Sequence, residues 1–270
     1  MTPTSIQSID YGGGGDCLFH SFAGILARMI LKGGAPARSV LEKVPSAVFM
    51  EGQAAVMQRL RMLSASVFQR MQPEDVLNHA LSAVMQYKIY LDSRDPDHFP
   101  DGWDPLGLLR RCGFGDIERA DAVFAFQEEL SGDAKVTLPV TDVRPEGGDT
   151  RHSIVVIPNG RRGLRRLRDE LTTIHSQPGN LHWGTQTDVQ SLSDVLDLGI
   201  LMFCDQPTDP RTCLYNIGSQ REDYPHWIAL WWIEPTHFRA ASVLGEVHWP
   251  RAEVPQALRD QYALANRLAN

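Results

Sequence analysis

The sequence predicts an α+β fold, with a helical N-terminal half packed on a small, mostly antiparallel central β-sheet. Two patterns carry this prediction. Apolar residues of the first third recur at helical spacing, whereas those of the last third gather into short runs bounded by turn residues. Size and composition agree: 270 residues, 43% hydrophobic and 22% charged, suit one globular domain with an insertion. We therefore expect a single domain over 1–270, in which 33–180 form a divergent, helical insertion.

The first helix begins at or near Cys17, because Leu18, Phe19, Phe22, Ile25, Leu26, Met29 and Ile30 follow i, i+3, i+4, i+7 spacing. Lys32-Gly33-Gly34-Ala35-Pro36 breaks the pattern. It resumes around 49–72, and again from Pro73 to about Tyr90. Residues 92–102 are acidic and Pro-rich; the prolines and the missing closing Glu spoil a calcium-loop spacing, so a solvated loop is expected. Residues 136–140 and 152–157 read as strands and Asn159-Gly160 as a turn. Residues 161–168 read as a helical turn with a cationic, solvated face. Strands then dominate, at 199–204, 212–217 and 227–233. The last is apolar on both alternating faces and so reads as central and covered on each side. Glu234-Pro235-Thr236 turns it into 237–244, a hairpin whose returning strand opens on a histidine. Residues 255–268 can form a closing helix.

A net charge of −7 and a pI near 5.7 argue against a general nucleic-acid binder. Met1-Thr2-Pro3-Thr4-Ser5-Ile6 lacks the basic-then-apolar layout of a signal peptide, and no apolar run approaches ~18 residues. A soluble, cytoplasmic chain with no membrane segment is the expectation. The four cysteines (Cys17, Cys112, Cys204, Cys213) are scattered with no C-x-x-C pair, so neither a cysteine zinc site nor a disulfide framework is indicated. No cofactor and no metal are expected.

Chemistry concentrates at Tyr11-Gly12-Gly13-Gly14-Gly15-Asp16-Cys17-Leu18-Phe19-His20. A cysteine at the start of a helix sits among unpaired N–H groups at the positive end of the helix dipole, which favours thiolate. The preceding glycines leave room for a substrate chain to approach the backbone. These residues alone are equally compatible with a core cysteine behind a flexible loop. A nucleophile helix early, a sheet late and a histidine on a late strand is the order of a papain-like cysteine peptidase.

Gly15-Asp16-Cys17-Leu18-Phe19-His20-Ser21 resembles the D-G-x-C-L-F nucleophile motif of the ovarian-tumour (OTU) family of deubiquitinating cysteine proteases. Trp183-Gly184-Thr185-Gln186-Thr187-Asp188-Val189-Gln190-Ser191-Leu192-Ser193 is similar to that family's W-G-x-x-x-E-L-x-A-L-A segment, where a Trp-Gly pair leads into a helix. A following strand and a late histidine hairpin complete the likeness, which covers roughly 10–31 and 181–245. The resemblance implies isopeptide hydrolysis at the ubiquitin C-terminus by a monomeric enzyme, with ubiquitin or polyubiquitin as partner and the region around 33–180 contacting it. Its divergence points to a bacterial or viral effector delivered into a host cytosol.

Within that likeness Cys17 is the nucleophile. His237, after a strand and tight turn, is favoured as base over His226, which opens the strand before it. His20, His182 and His248 have weaker claims. The family's acid two residues after the histidine is Arg239 here, and its alternative three before the cysteine is Gly14. Asp10 is the candidate orienter, folding back from further up the loop; a bare dyad or an orienter such as Asn216 stays open. Backbone N–H groups near Gly14, Gly15 and Asp16 would form the oxyanion hole, and Trp183, Gly184 and Trp232 would wall the channel for the substrate tail. Two other classes fit the same residues: a catalytically impaired ubiquitin-binding module, and a papain-like peptidase acting on a ubiquitin-like modifier or another protein.

Overall fold

In the computed structural model, which describes residues 6–93, 99–100, 102–139, 152–179, 182–205, 214–217, 223–233 and 237–261, the chain is a mixture of helix and sheet. The first segment runs β1 (Ile6–Ile9), α1 (Cys17–Lys32), α2 (Ala35–Lys43), α3 (Ser46–Met50) and α4 (Gln53–Ala65). Next come α5 (Pro73–Ser93), α6 (Pro105–Arg111), β2 (Ala125–Glu128), β3 (Ala134–Pro139), β4 (His152–Ile157) and α7 (Gly160–Ser176). The last segment holds α8 (Gln186–Leu196), β5 (Leu198–Asp205), β6 (Leu214–Ile217), β7 (His226–Ile233), β8 (His237–Val243), β9 (His248–Pro250) and α9 (Gln256–Gln261).

These elements form two compact units. One joins Met1–Ala65 to His175–Asn270; the other is Ser66–Ile174. The expected boundaries of the insertion, 33–180, therefore differ from those of the second unit: α2, α3 and α4 pack within the first. No helix among the described residues is long and apolar enough to cross a membrane.

In the first unit the inward stripe of α1 (Leu18, Phe19, Phe22, Ile25, Leu26, Met29) is buried against α4, α8 and one face of a sheet. Burying such a stripe stabilises a helix more than its propensity does. Gly33, at φ 73, ends the helix and donates its N–H to the carbonyls of Met29 and Ile30. The sheet has the order β1-β8-β7-β5-β6, with β9 added to the first residues of β7. Among the described residues only β5 and β7 pair in parallel. Residues His226 to Leu230 of β7 are buried, as a strand covered on both faces requires. Gly199 of β5 is needed where it stands, since a Cβ there would lie 2.3 Å from the Trp227 ring.

The second unit packs α5, α6 and α7 on a three-stranded antiparallel sheet of order β2-β3-β4. Residues 161–168 belong to the longer α7, whose Leu164, Leu167 and Leu171 are buried and whose Arg162 and Arg165 are exposed. Five short elements among the described residues were not anticipated: β1, α2, α6, β2 and β9. Most of the acidic loop at 92–102, the turn at 234–236 and the tail beyond 261 lie outside the described residues. So do Cys213 and the side chains of Cys204 and Asn216.

Candidate active site at the start of the first helix

A 3-10 turn over Gly14–Asp16 runs directly into α1, so Cys17 occupies the first helical position, as the sequence predicts. Its sulfur accepts the N–H of Phe238 from β8 at 3.3 Å. Burial works against the expected thiolate. Cys17 is only 2% exposed, and burial pushes its thiol pKa up. The amides of Phe238 and Leu18 pull the other way, while the carboxylates of Asp10 and Asp16 add to the rise. Desolvation wins because a buried sulfur loses its hydration while the helix end supplies only partial charges.

Sheet register explains how Asp10 reaches the site. β1 and β8 pair from Ile6↔Val243 to Ile9↔Ala240, which puts Asp10 level with Arg239. Residues two apart on a strand share a face, so His237 and Arg239 both meet that carboxylate. Asp10 Oδ2 lies 3.5 Å from His237 Nε2 and 3.2 Å from Arg239 Nε. Its Oδ1 accepts the Gly12 N–H at 2.9 Å. That hydrogen bond first, then the charges of Arg239 and His237, hold the Asp10 carboxyl below its usual range despite some desolvation. Gly12 sits at φ +105, a conformation other residues resist, and Gly13 faces the His237 ring with room to spare.

The glycine loop is held from below by a residue that sequence reasoning missed. Arg61 of α4 is fully buried and forms an ion pair with Asp16. It also donates to the carbonyls of Gly15 (3.1 Å), His182 (2.9 Å) and His175 (3.3 Å), and its guanidinium lies 4.3 Å from the centroid of the Phe19 ring. Asp16 further accepts the Gly179 N–H at 2.9 Å. The Asp16 carboxylate is thus an anchor for the loop. A Cβ on Gly15 would lie 2.6 Å from Trp183, and one on Gly184 would lie 2.6 Å from Leu18, so both glycines permit close packing around Cys17. Trp183 is half-buried, and its indole N–H has no partner among the described residues. Trp232 is also half-buried, stacks on Phe238 and flanks the core.

The competing histidines are placed elsewhere. His226 opens β7 and His237 pairs with Ile233 at its far end, about 23 Å along a strand rising ~3.3 Å per residue. The structure therefore brings His237, and not His226, beside the residue whose amide meets Cys17. His20 hydrogen-bonds Gln53 at 3.2 Å, and His248 is buried in β9. His182 is buried against Asp188, the residue at the acidic position of the Trp-Gly segment, which also closes a capping box with Thr185 at the start of α8. Comparisons with protein-family models, with curated proteins and with solved structures each return no match.

Proposed function

We propose that the chain is a thiol-dependent hydrolase with an OTU-like, papain-like catalytic arrangement, cleaving isopeptide bonds at the C-terminus of ubiquitin. One observation carries this reading: the cysteine that opens α1 accepts the amide of Phe238, next to a histidine whose ring meets an aspartate. Because burial raises the Cys17 pKa, His237 acts as general base and takes the thiol proton as sulfur attacks. Attack on the terminal glycine carbonyl yields a tetrahedral oxyanion, met by backbone N–H groups of the 14–17 loop. His237 then protonates the departing lysine amine. Water, deprotonated by the same imidazole, hydrolyses the thioester and releases a free carboxylate. Asp10 orients the imidazole from Nε2. The indole N–H of Trp183, which has no partner among the described residues and lies beside Gly15, suits a carbonyl of an extended substrate tail.

The near-complete burial of Cys17 favours a second reading, a ubiquitin-binding module with impaired catalysis. Incubation with full-length ubiquitin bearing a C-terminal alkyne electrophile separates the two. The proposal expects a covalent ubiquitin adduct that is lost in Cys17→Ala and His237→Ala and kept in His226→Ala. Ubiquitin binding without adduct from folded wild type selects the binding module. Neither adduct nor binding overturns the assignment to ubiquitin.

A further inference from the structure

We propose that His175, His182 and Asp188 form a buried, three-ligand site for one divalent transition-metal ion of the zinc type. The three residues come from the end of α7, the segment after it and the first turn of α8. Their candidate ligand atoms all lie within 4.8 Å of one another. His182 Nε2 is 2.8 Å from Asp188 Oδ2, and His175 Nδ1 is 3.7 Å from Asp188 Oδ1. Tetrahedral zinc, with bonds of ~2.0–2.1 Å to nitrogen and oxygen, separates its ligands by about 3.3 Å. The two measured separations straddle that value. The imidazole centroids are 3.5 Å apart, so the rings part slightly as a tetrahedral ion enters between them and the carboxylate.

Charge points the same way. His175, His182 and Asp188 are 0%, 1% and 2% exposed, and a carboxylate so deeply buried calls for a positive counter-charge. Arg61, the neighbouring permanent cation, is committed to Asp16 and to the backbone carbonyls of Gly15, His175 and His182. A dication held by two neutral imidazoles and one carboxylate supplies that positive charge and leaves the cluster with a single net positive charge.

Outer contacts are those of a ligand-orienting shell. Ser64 Oγ donates to Asp188 Oδ1 at 2.7 Å, while the N–H and hydroxyl of Thr185 each donate to Oδ2 at 2.9 Å. Two imidazole nitrogens with one carboxylate select zinc or cobalt over magnesium and calcium, which require shells of oxygen. Cysteine spacing carries no trace of this site, because it uses no thiolate. Its role is bracing: the segment it ties down also carries Gly179, bonded to Asp16, and Trp183, packed on Gly15. The site does not depend on the hydrolase reading.

The test loads the chelator-stripped full chain with Zn2+ or Co2+ and reads metal content, visible ligand-field bands and the melting temperature. The expected result is one tightly held zinc per chain, tetrahedral cobalt bands, and a melting temperature that falls on chelation and recovers with Zn2+. His175→Gln and Asp188→Asn, each verified as folded by circular dichroism, should bind Zn2+ at least ~100-fold more weakly. Folded wild type with no cobalt bands, and with a melting temperature indifferent to zinc and chelator, would show that the cluster shares only a proton. Zinc retained equally by wild type and both variants would equally overturn the proposal.

Discussion

Replacing Arg61 by Met tests the clamp under the glycine loop. The substitution keeps length and apolar bulk but removes the guanidinium, leaving Asp16 without its cation while its side chain is 13% exposed. Breaking one partner of a buried pair costs about 3–5 kcal/mol. Asp16 keeps the Gly179 N–H, which favours the lower end of that range. The carbonyls of Gly15, His175 and His182 lose their donors as well, at about 1 kcal/mol each where water does not replace them. Together these give a loss of about 3–6 kcal/mol. With an m-value of about 3 kcal/mol/M, the urea midpoint falls by about 1–2 M. The double variant Asp16→Leu/Arg61→Met removes both charges and should recover about 2 kcal/mol relative to the sum of the single changes. A loss below about 1 kcal/mol in Arg61→Met, or strict additivity in the cycle, would refute the clamp.

Other perturbations give equally direct outcomes. Alkylation of Cys17 by iodoacetamide should reach half its limiting rate at a pH above the ~8.5 of a free thiol, because burial disfavours the thiolate; a midpoint below 7 would contradict this. Asp10→Asn removes one of the carboxylates that raise that pKa, so its alkylation midpoint should move to lower pH. Gly24→Ala gains helix propensity but sets a Cβ 2.4 Å from the Tyr11 ring, so a net loss of about 1–3 kcal/mol is expected in thermal unfolding; unchanged stability would show that the ring moves freely. Burial lowers the pKa of His226 and of His248 from 6.5, with Asp197 opposing the shift at His226 and Lys32 adding to it at His248. The unfolded chain therefore protonates first, and stability should decline as pH falls below 6.5 towards the lowered folded values. His226→Gln/His248→Gln should flatten the slope over that range, and an unchanged slope would assign it to other groups.

Legibility in the sequence followed how locally each feature is encoded. The start of α1 and the central position of β7 could be read because an apolar stripe and a doubly covered strand leave marks in consecutive residues. The capping box at Thr185 and Asp188 is equally local. By contrast β1 has four residues, with Gln7 and Ser8 exposed between half-buried isoleucines, so its alternation is too short to signal a strand. Its importance lies in its register with β8, a pairing across more than two hundred residues that delivers Asp10 to His237. Arg61 lies in an amphipathic helix where an arginine normally faces water, and only its meeting with Asp16 reveals that it points inward. α6 did carry a readable signal: Asp104 caps the Gly107 N–H and Pro105 takes the first helical position. The opposing effect of burial on the Cys17 thiol could not be read, because helix position is visible in a sequence and desolvation is not.

The first unit is built from two stretches of chain, with Ser66–Ile174 intervening, and its seam is tight: Arg61, one turn from the end of α4, hydrogen-bonds the carbonyl of His175. The residues on either side of the interruption are thus held near each other by the first unit alone. Closing a loop costs free energy only as the logarithm of its length, about 0.6 kcal/mol per doubling. By that scaling the chain between Ala65 and His175 can change in length at little closure cost to the part that carries Cys17 and His237. Exchange of whole cassettes at this seam is therefore a practical engineering step that leaves both residues in place.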